Sequence, residues 1–276
     1  MKIKLKNCTF NESVIIGTIS VPSSNAVLYA QKVSRNLSDT QLIALDNFVN
    51  NLKTDGIWKK LTHLYIPSLA FVNGGENLRE AFIDVVSSFG STTTYGIEEE
   101  LAKSEFVYKD GGITNKTAKP NTTRDGATFI NGETINDSHV MFFVKSGNTS
   151  TSQEGVEVWD RGFLGGAVNP PYGYLNADNI RIAINNIGFN LHNRHISAGE
   201  IFGHTDLNNI GKIIKLSKLD TAHSVDISSL GNFPNNIKFA TSEIQLSFGL
   251  ISFGKGLTDE EAKKYIQYIK KLMSVV

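Results

Sequence analysis

Residues Glu243-Ile244-Gln245-Leu246-Ser247-Phe248-Gly249-Leu250-Ile251-Ser252-Phe253 run through Gly254-Lys255-Gly256-Leu257 into Thr258-Asp259-Glu260-Glu261. The first part is apolar and short-period and predicts a strand. Gly-Lys-Gly is a turn, because no phosphate-loop pattern of Gly-x-x-x-x-Gly-Lys-Ser/Thr surrounds it. Thr258 and Glu261 then form a capping box, with Asp259, Glu260 and Glu261 in the first turn where the helix dipole favours acids. Ala262, Tyr265, Ile266, Ile269, Leu272 and Met273 recur at three- and four-residue spacing, and Lys270 and Lys271 close the last turn. The reading is a strand, a glycine turn and an amphipathic helix near 259–274 that seals a sheet.

The same grammar occurs upstream. Ser38-Asp39-Thr40-Gln41 is a second capping box, followed by Leu42, Leu45, Val49 and Leu52 on one stripe and by Gly56 as a stop. A helix near 39–55 follows, each cap being worth about 1 kcal/mol. An extended segment is expected from Ile57 to Ile66, ended by Pro67. Between the helices the period falls to two. Strands are expected at His139–Ser146, Gly155–Asp160, Asn179–Ile187, Lys212–Leu216, Ile237–Thr241 and Glu243–Phe253, with a short helix at 98–103. Such spacing predicts a mainly β chain, an antiparallel β-sandwich, rather than βαβ units. One domain over 1–276 is the simplest parse, with a strand and helix extension (1–66) and a C-terminal helix (258–276).

The chain has 276 residues, with 27 basic and 27 acidic side chains and a net charge of zero. That balance argues against a nucleic-acid partner, which needs a basic surface. No apolar run approaches the roughly 20 residues of a membrane helix. Cys8 stands alone, so neither an intrachain disulfide nor a cysteine zinc site is expected. Met1 to Lys6 alternates apolar and basic residues, which reads as a strand and not a signal peptide. Strand 1–10 is either the first strand of its own sandwich or one that joins a neighbouring subunit's sheet edge.

No nucleophile elbow and no His-Glu-x-x-His pattern occurs, and no catalytic residue is assigned. Glu157 and Asp160 are three apart and face opposite sides of a regular strand, unlike paired glycosidase acids. His192 and His195 sit in a strand-to-turn pattern that does not suit a metal, so no metal site or cofactor is expected. Calcium takes loop oxygens without a motif, and Asp110, Asp125 and Asp137 in glycine- and asparagine-rich turns are acids of that type; surface-turn acids are the alternative reading. Trp159, Tyr172 and Tyr174 are the candidate ligand-binding residues, since aromatic rings stack on sugar faces. Pro170-Pro171-Tyr172-Gly173-Tyr174 also reads as a rigid packing loop, and that structural reading is the stronger one.

Three segments resemble a known group. They are Asn36-Leu37-Ser38 through Gly56-Ile57-Trp58-Lys59-Lys60 and Leu64-Tyr65-Ile66, then His139 to Ser146, then Phe248 to Glu261. In this order they are similar to virion structural proteins of tailed phages, notably those of Bacteroidetes-type hosts. The resemblance implies a concanavalin A-like (laminin-G-like) jelly roll closed by a C-terminal helix. It also implies a non-enzymatic tail, fibre or capsid-decoration protein that assembles with other virion proteins, forms a homo-oligomer and contacts host surface glycans. Such a protein is made in the host cytoplasm without a signal peptide and ends in the virion. A glycan hydrolase or a free carbohydrate-binding protein on the same fold is the alternative. The matching residues fix the fold, so no catalytic position carries over, and 74–112 fits the pattern poorly.

Overall fold

The computed structural model describes residues 22–33, 36–70, 78–89, 106–115, 125–128, 137–146, 156–157, 174–175, 179–184, 187–192, 198–226, 236–238 and 247–276. Its main helices are α1 (Ser24–Lys32), α2 (Asp39–Thr54), the short α3 (Val85–Ser88) and α4 (Asp259–Met273). Both capping boxes form: Gln41 N donates to the Ser38 hydroxyl, Glu261 N donates to that of Thr258, and each acceptor residue's own N–H is met by the third-position side chain. Gly56 takes φ +73° just beyond α2, a conformation that ends a helix cheaply only with glycine. The apolar stripes of α2 and α4 expected above are all buried.

Eight strands make one antiparallel sheet: β1 (Leu61–Tyr65), β2 (Phe106–Lys109), β3 (Gly112–Asn115), β5 (Asp137–Ser146), β10 (Ile201–Leu207), β11 (Ile210–Lys215), β12 (Lys218–Asp226) and β14 (Ser247–Gly254). The order is β12-β11-β10-β5-β14-β3-β2, with β1 also on β14. Strand β14 is the keystone. One edge pairs with β5 throughout; the other pairs with β1 over Ile251–Gly254 and with β3 at Phe248. Two further antiparallel groups are β4 (Asp125–Thr128) with β13 (Asn236–Lys238), and β6 (Val156–Glu157), β7 (Tyr174–Leu175), β8 (Asn179–Ile184) and β9 (Ile187–His192) in sequence order. The fold is mainly β and antiparallel, with the two expected helices.

Residues opposite one another across a ladder share a face. Met141 and Phe143 therefore lie with Ser252 and Leu250, and with Gly203 and Ile201, on the face that α4 covers. The other face gathers Phe142, Phe202, Phe248 and Phe253, whose ring centroids lie 5.1–6.2 Å from that of Phe142. All eight residues of β14 are buried. Both faces are thus covered, and the apolar run is continuous rather than alternating.

Several expectations are revised. Trp58–Lys60 is a 3-10 turn, not extended, with Lys60 N donating to the Ile57 carbonyl at 2.9 Å, so the strand begins at Leu61. The single strand expected at 179–187 is the pair β8–β9, separated by Asn185-Asn186, residue types that favour hairpin turns. Strands β10 and β12 and helix α1 were not expected. The expected helix at 98–103 and strand 1–10 lie outside the described residues, whereas 78–89 forms a 3-10 turn and α3.

Strand β12 is an edge of the large sheet. Its register skips from Asp220 to Ser224 against adjacent residues of β11, and Ala222 N donates to Asp220 Oδ1 inside the bulge. A bulged edge is poor for adding another strand.

Candidate functional site

The polar chemistry of the described residues is concentrated where α2, α4 and the Gly254–Thr258 turn meet the sheet. His139 on β5 and Ser252 on β14 sit on the helical face, and α4 lays Tyr265 across them. The Tyr265 hydroxyl donates to Ser252 Oγ at 2.8 Å. His139 contacts Ser252 Oγ through Nε2 at 3.1 Å and the Lys255 carbonyl through Nδ1 at 2.6 Å. A carbonyl only accepts, which assigns the proton to Nδ1. In the tautomer protonated at Nδ1 alone, Nε2 accepts from the Ser252 hydroxyl, which accepts from Tyr265. Burial pushes the Tyr265 phenol far above its ordinary range, and the Ser252 bond offsets part of that.

A serine hydroxyl on a histidine nitrogen is also the opening arrangement of nucleophilic catalysis. Here Ser252 is 0% exposed and lies under α4, with its oxygen already engaged by Tyr265. What the arrangement does is tie helix to sheet.

The turn is fastened in the same manner. Lys60 Nζ donates to the Gly256 carbonyl at 3.1 Å and to Glu261 Oε2 at 2.6 Å. Gly256 N donates to Asp137 Oδ1 at 2.9 Å, and Leu257 N to Thr205 Oγ1 at 2.7 Å. Farther along α4, Lys264 pairs with Asp55 at 2.9 Å, and the Tyr268 hydroxyl donates to the same carboxylate. Those two bonds, Tyr268 first, hold Asp55 below its ordinary value.

For Glu261, burial alone raises the pKa. The Lys60 bond and charge, with the Thr258 N–H, outweigh it, so the net shift is downward from 4.5. A depressed carboxylate contributes stability above its unfolded value and loses it as pH falls through the folded one. Between about pH 5 and pH 3, Glu261→Gln is therefore expected to flatten the acid limb of a melting-temperature profile relative to wild type. Superimposable profiles would contradict the role of this pair.

On the opposite face, Asp84 joins three elements. Its Oδ1 accepts from Leu64 N and Val86 N, both at 3.0 Å, and its Oδ2 lies 3.2 Å from His63 Nδ1. Asp84→Ala removes a helix cap and leaves a buried strand N–H unmet. It is expected to cost about 2 kcal/mol in denaturant unfolding. His204 and Asp206, both fully buried on β10, lie 3.1 Å apart on that face.

A groove of about 280 Å³ runs between α2 and the end of α4, with Ile43, Phe48, Leu272 and Val275 along it and Asn51 and Lys271 among its polar residues.

Trp159 and Tyr172 lie outside the described residues. Tyr174 is on β7, opposite Glu157 and Arg181. Asp110 occupies the β2–β3 turn at φ +52° and accepts from the Ser146 hydroxyl at 3.2 Å. Asp125 is on β4 opposite Lys238, and Asp137 holds the Gly256 turn. His192 ends β9, while His195 and Asp160 lie outside the described residues. Among the described residues no three His, Cys, Asp or Glu side chains gather as metal ligands, and no helix is long and apolar enough to cross a membrane.

No family model matches the sequence, and no curated protein matches it. Solved structures with partial likeness include the binding domain of botulinum neurotoxin DC in complex with rat synaptotagmin II (12% identity, 48% of this chain and 36% of that one, TM-score 0.36). Trypanosoma rangeli sialidase is similar over 82% of this chain and 38% of its own, at 8% identity and TM-score 0.42. Domain 4 of the GH43 extracellular arabinanase AbnA from Geobacillus stearothermophilus, in complex with arabinotriose, is similar over 75% of this chain and 98% of its own (13% identity, TM-score 0.33). The chain spans little more than a third of the toxin domain and of the sialidase.

Proposed function

We propose that the chain is a non-enzymatic structural component of a bacteriophage virion, a tail, fibre or capsid-decoration protein whose sandwich contacts other virion proteins and host surface glycans. The observation that carries this reading is where the three resembling segments fall. They are α2 with its stop, the keystone strands β5 and β14, and the turn into α4. Their polar residues, His139, Ser252, Lys60 and Glu261, are spent tying helices to sheet. That is the use expected of residues shared for a scaffold rather than for chemistry. A neutral chain with one cysteine is compatible with assembly in the cytoplasm and use outside the cell.

Light scattering of the purified chain, with a glycan-binding screen, tests the proposal. A scaffold subunit self-associates and shows at most weak, avidity-dependent glycan binding. A strict monomer with saturable sugar affinity, or one that cleaves glycans, would replace this reading with the carbohydrate-binding or hydrolase alternative.

A further inference from the structure

The groove between α2 and α4 lies along two helices that run antiparallel. Gln41, in the first turn of α2, donates to the Val275 carbonyl just beyond α4, while Lys264 and Tyr268 reach Asp55 at the other end of α2. That pairing sets the levels along the groove. Asn51 and Tyr268 stand at one end, Asn47 and Lys271 at the middle, and Ile43, Ala44 and Val275 toward the other end. Phe48 and Leu272, 2% and 1% exposed, form the floor. The walls of the Ile43–Val275 half are mainly apolar, and at 1.5 Å per residue the reach from Asn47 to Thr40 is roughly 10 Å. Among the described residues lining the groove, Lys271 is the one charged side chain, and no carboxylate is present. At the Tyr268 end the nearby Asp55 is already engaged by Lys264 and by the Tyr268 hydroxyl.

Size and charge together select an occupant. A volume of about 280 Å³ sits at the small end of ligand pockets, which run from about 300 to 1,000 Å³. A stable protein–protein interface buries about 800 Å² on each partner. With the floor already covered, the partly open apolar side chains here are Ile43, Ala44 and Val275, too few for such an interface. An apolar trough roughly 10 Å long that ends at a single ammonium group complements a short amphiphile with a negative head. We propose that this groove binds a free medium-chain carboxylate. Its acyl tail lies along Ile43, Ala44 and Val275 over Phe48, and its carboxylate pairs with Lys271, with the Asn47 amide on the facing wall.

Amide NMR titration of the full chain at low ionic strength, with octanoate and with 1-octanol as the neutral probe, tests the site. Octanoate should give saturable shifts confined to the amides of 43–51 and 268–275. Lys271→Gln should weaken octanoate about twofold to fivefold, the value of an exposed ion pair, and leave 1-octanol unchanged. Ala44→Phe, which puts a ring into the tail half, should abolish saturation by both probes. Absence of saturable shifts at these amides, or equal octanoate affinity in wild type and Lys271→Gln, overturns the proposal. Self-association that is lost in Ala44→Phe, in a wild-type protein that takes no octanoate, would assign the groove to a second copy and overturn it as well.

Discussion

Tyr265→Asp is expected to leave no cooperatively folded protein at ambient temperature. Tyr265 is 0% exposed, its ring stacks near Phe48 at 6.2 Å, and it meets His139 edge-on at 6.1 Å. Truncating a buried aromatic costs about 3–5 kcal/mol. A carboxylate at that position adds the penalty of a charge in an apolar layer, and Ser252 Oγ loses its donor. The sum is comparable to the whole stability of a typical domain, about 5–15 kcal/mol. Far-UV circular dichroism with a thermal scan reads the outcome. Tyr265→Phe separates the two contributions, since it keeps the ring and should cost only about 1 kcal/mol. A Tyr265→Asp protein that melts with the wild type would mean that α4 is not docked on the sheet.

The second large effect is expected at Gly254. A Cβ there would lie 2.0 Å from the Lys60 carbonyl oxygen and 2.9 Å from Leu61 Cα, both backbone atoms that cannot swing aside. The β1–β14 ladder would have to open where Lys255 N donates to Lys60 O at 2.8 Å. Gly254→Ala is therefore expected to cost about 3 kcal/mol or more, at the upper end for overpacking. Gly199 is the useful contrast. Its φ is +87°, but a Cβ meets nothing within 4 Å, so alanine there costs only the backbone strain, about 1 kcal/mol. Chemical denaturation of the two variants should differ by about 2 kcal/mol. Equal values would mean that close approach is not what fixes the glycine in the turn.

Both helices were legible because their signals are local: caps, stop and stripe lie within a few residues of the segment they define. Strands β5 and β14 were legible as apolar runs bounded by turn residues. Strand β10 was not, because His204, Thr205 and Asp206 look like a loop in sequence and are buried only by virtue of their neighbours β5 and β11. Helix α1 carries no capping box; Ser23 serves as its N-cap while its own N–H and hydroxyl donate to Asp46 on α2. The His139–Ser252–Tyr265 chain was hidden for a related reason. It exists only in a register that sets Ser252 beside Met141 and Gly254 beside His139, which no single segment encodes. What the sequence did offer was a histidine and a serine inside otherwise apolar strands, a sign that buried polar groups had to find each other.

In the proposed virion role, these polar residues hold together a scaffold that is part of a particle. Quantitative mass spectrometry of gradient-purified phage particles from the lysate that produces this chain tests it most directly. The account predicts that the chain co-sediments with the major virion proteins at a fixed, multiple copy number that survives a high-salt wash. Recovery of the chain solely in the soluble fraction, with none at particle density, would contradict it.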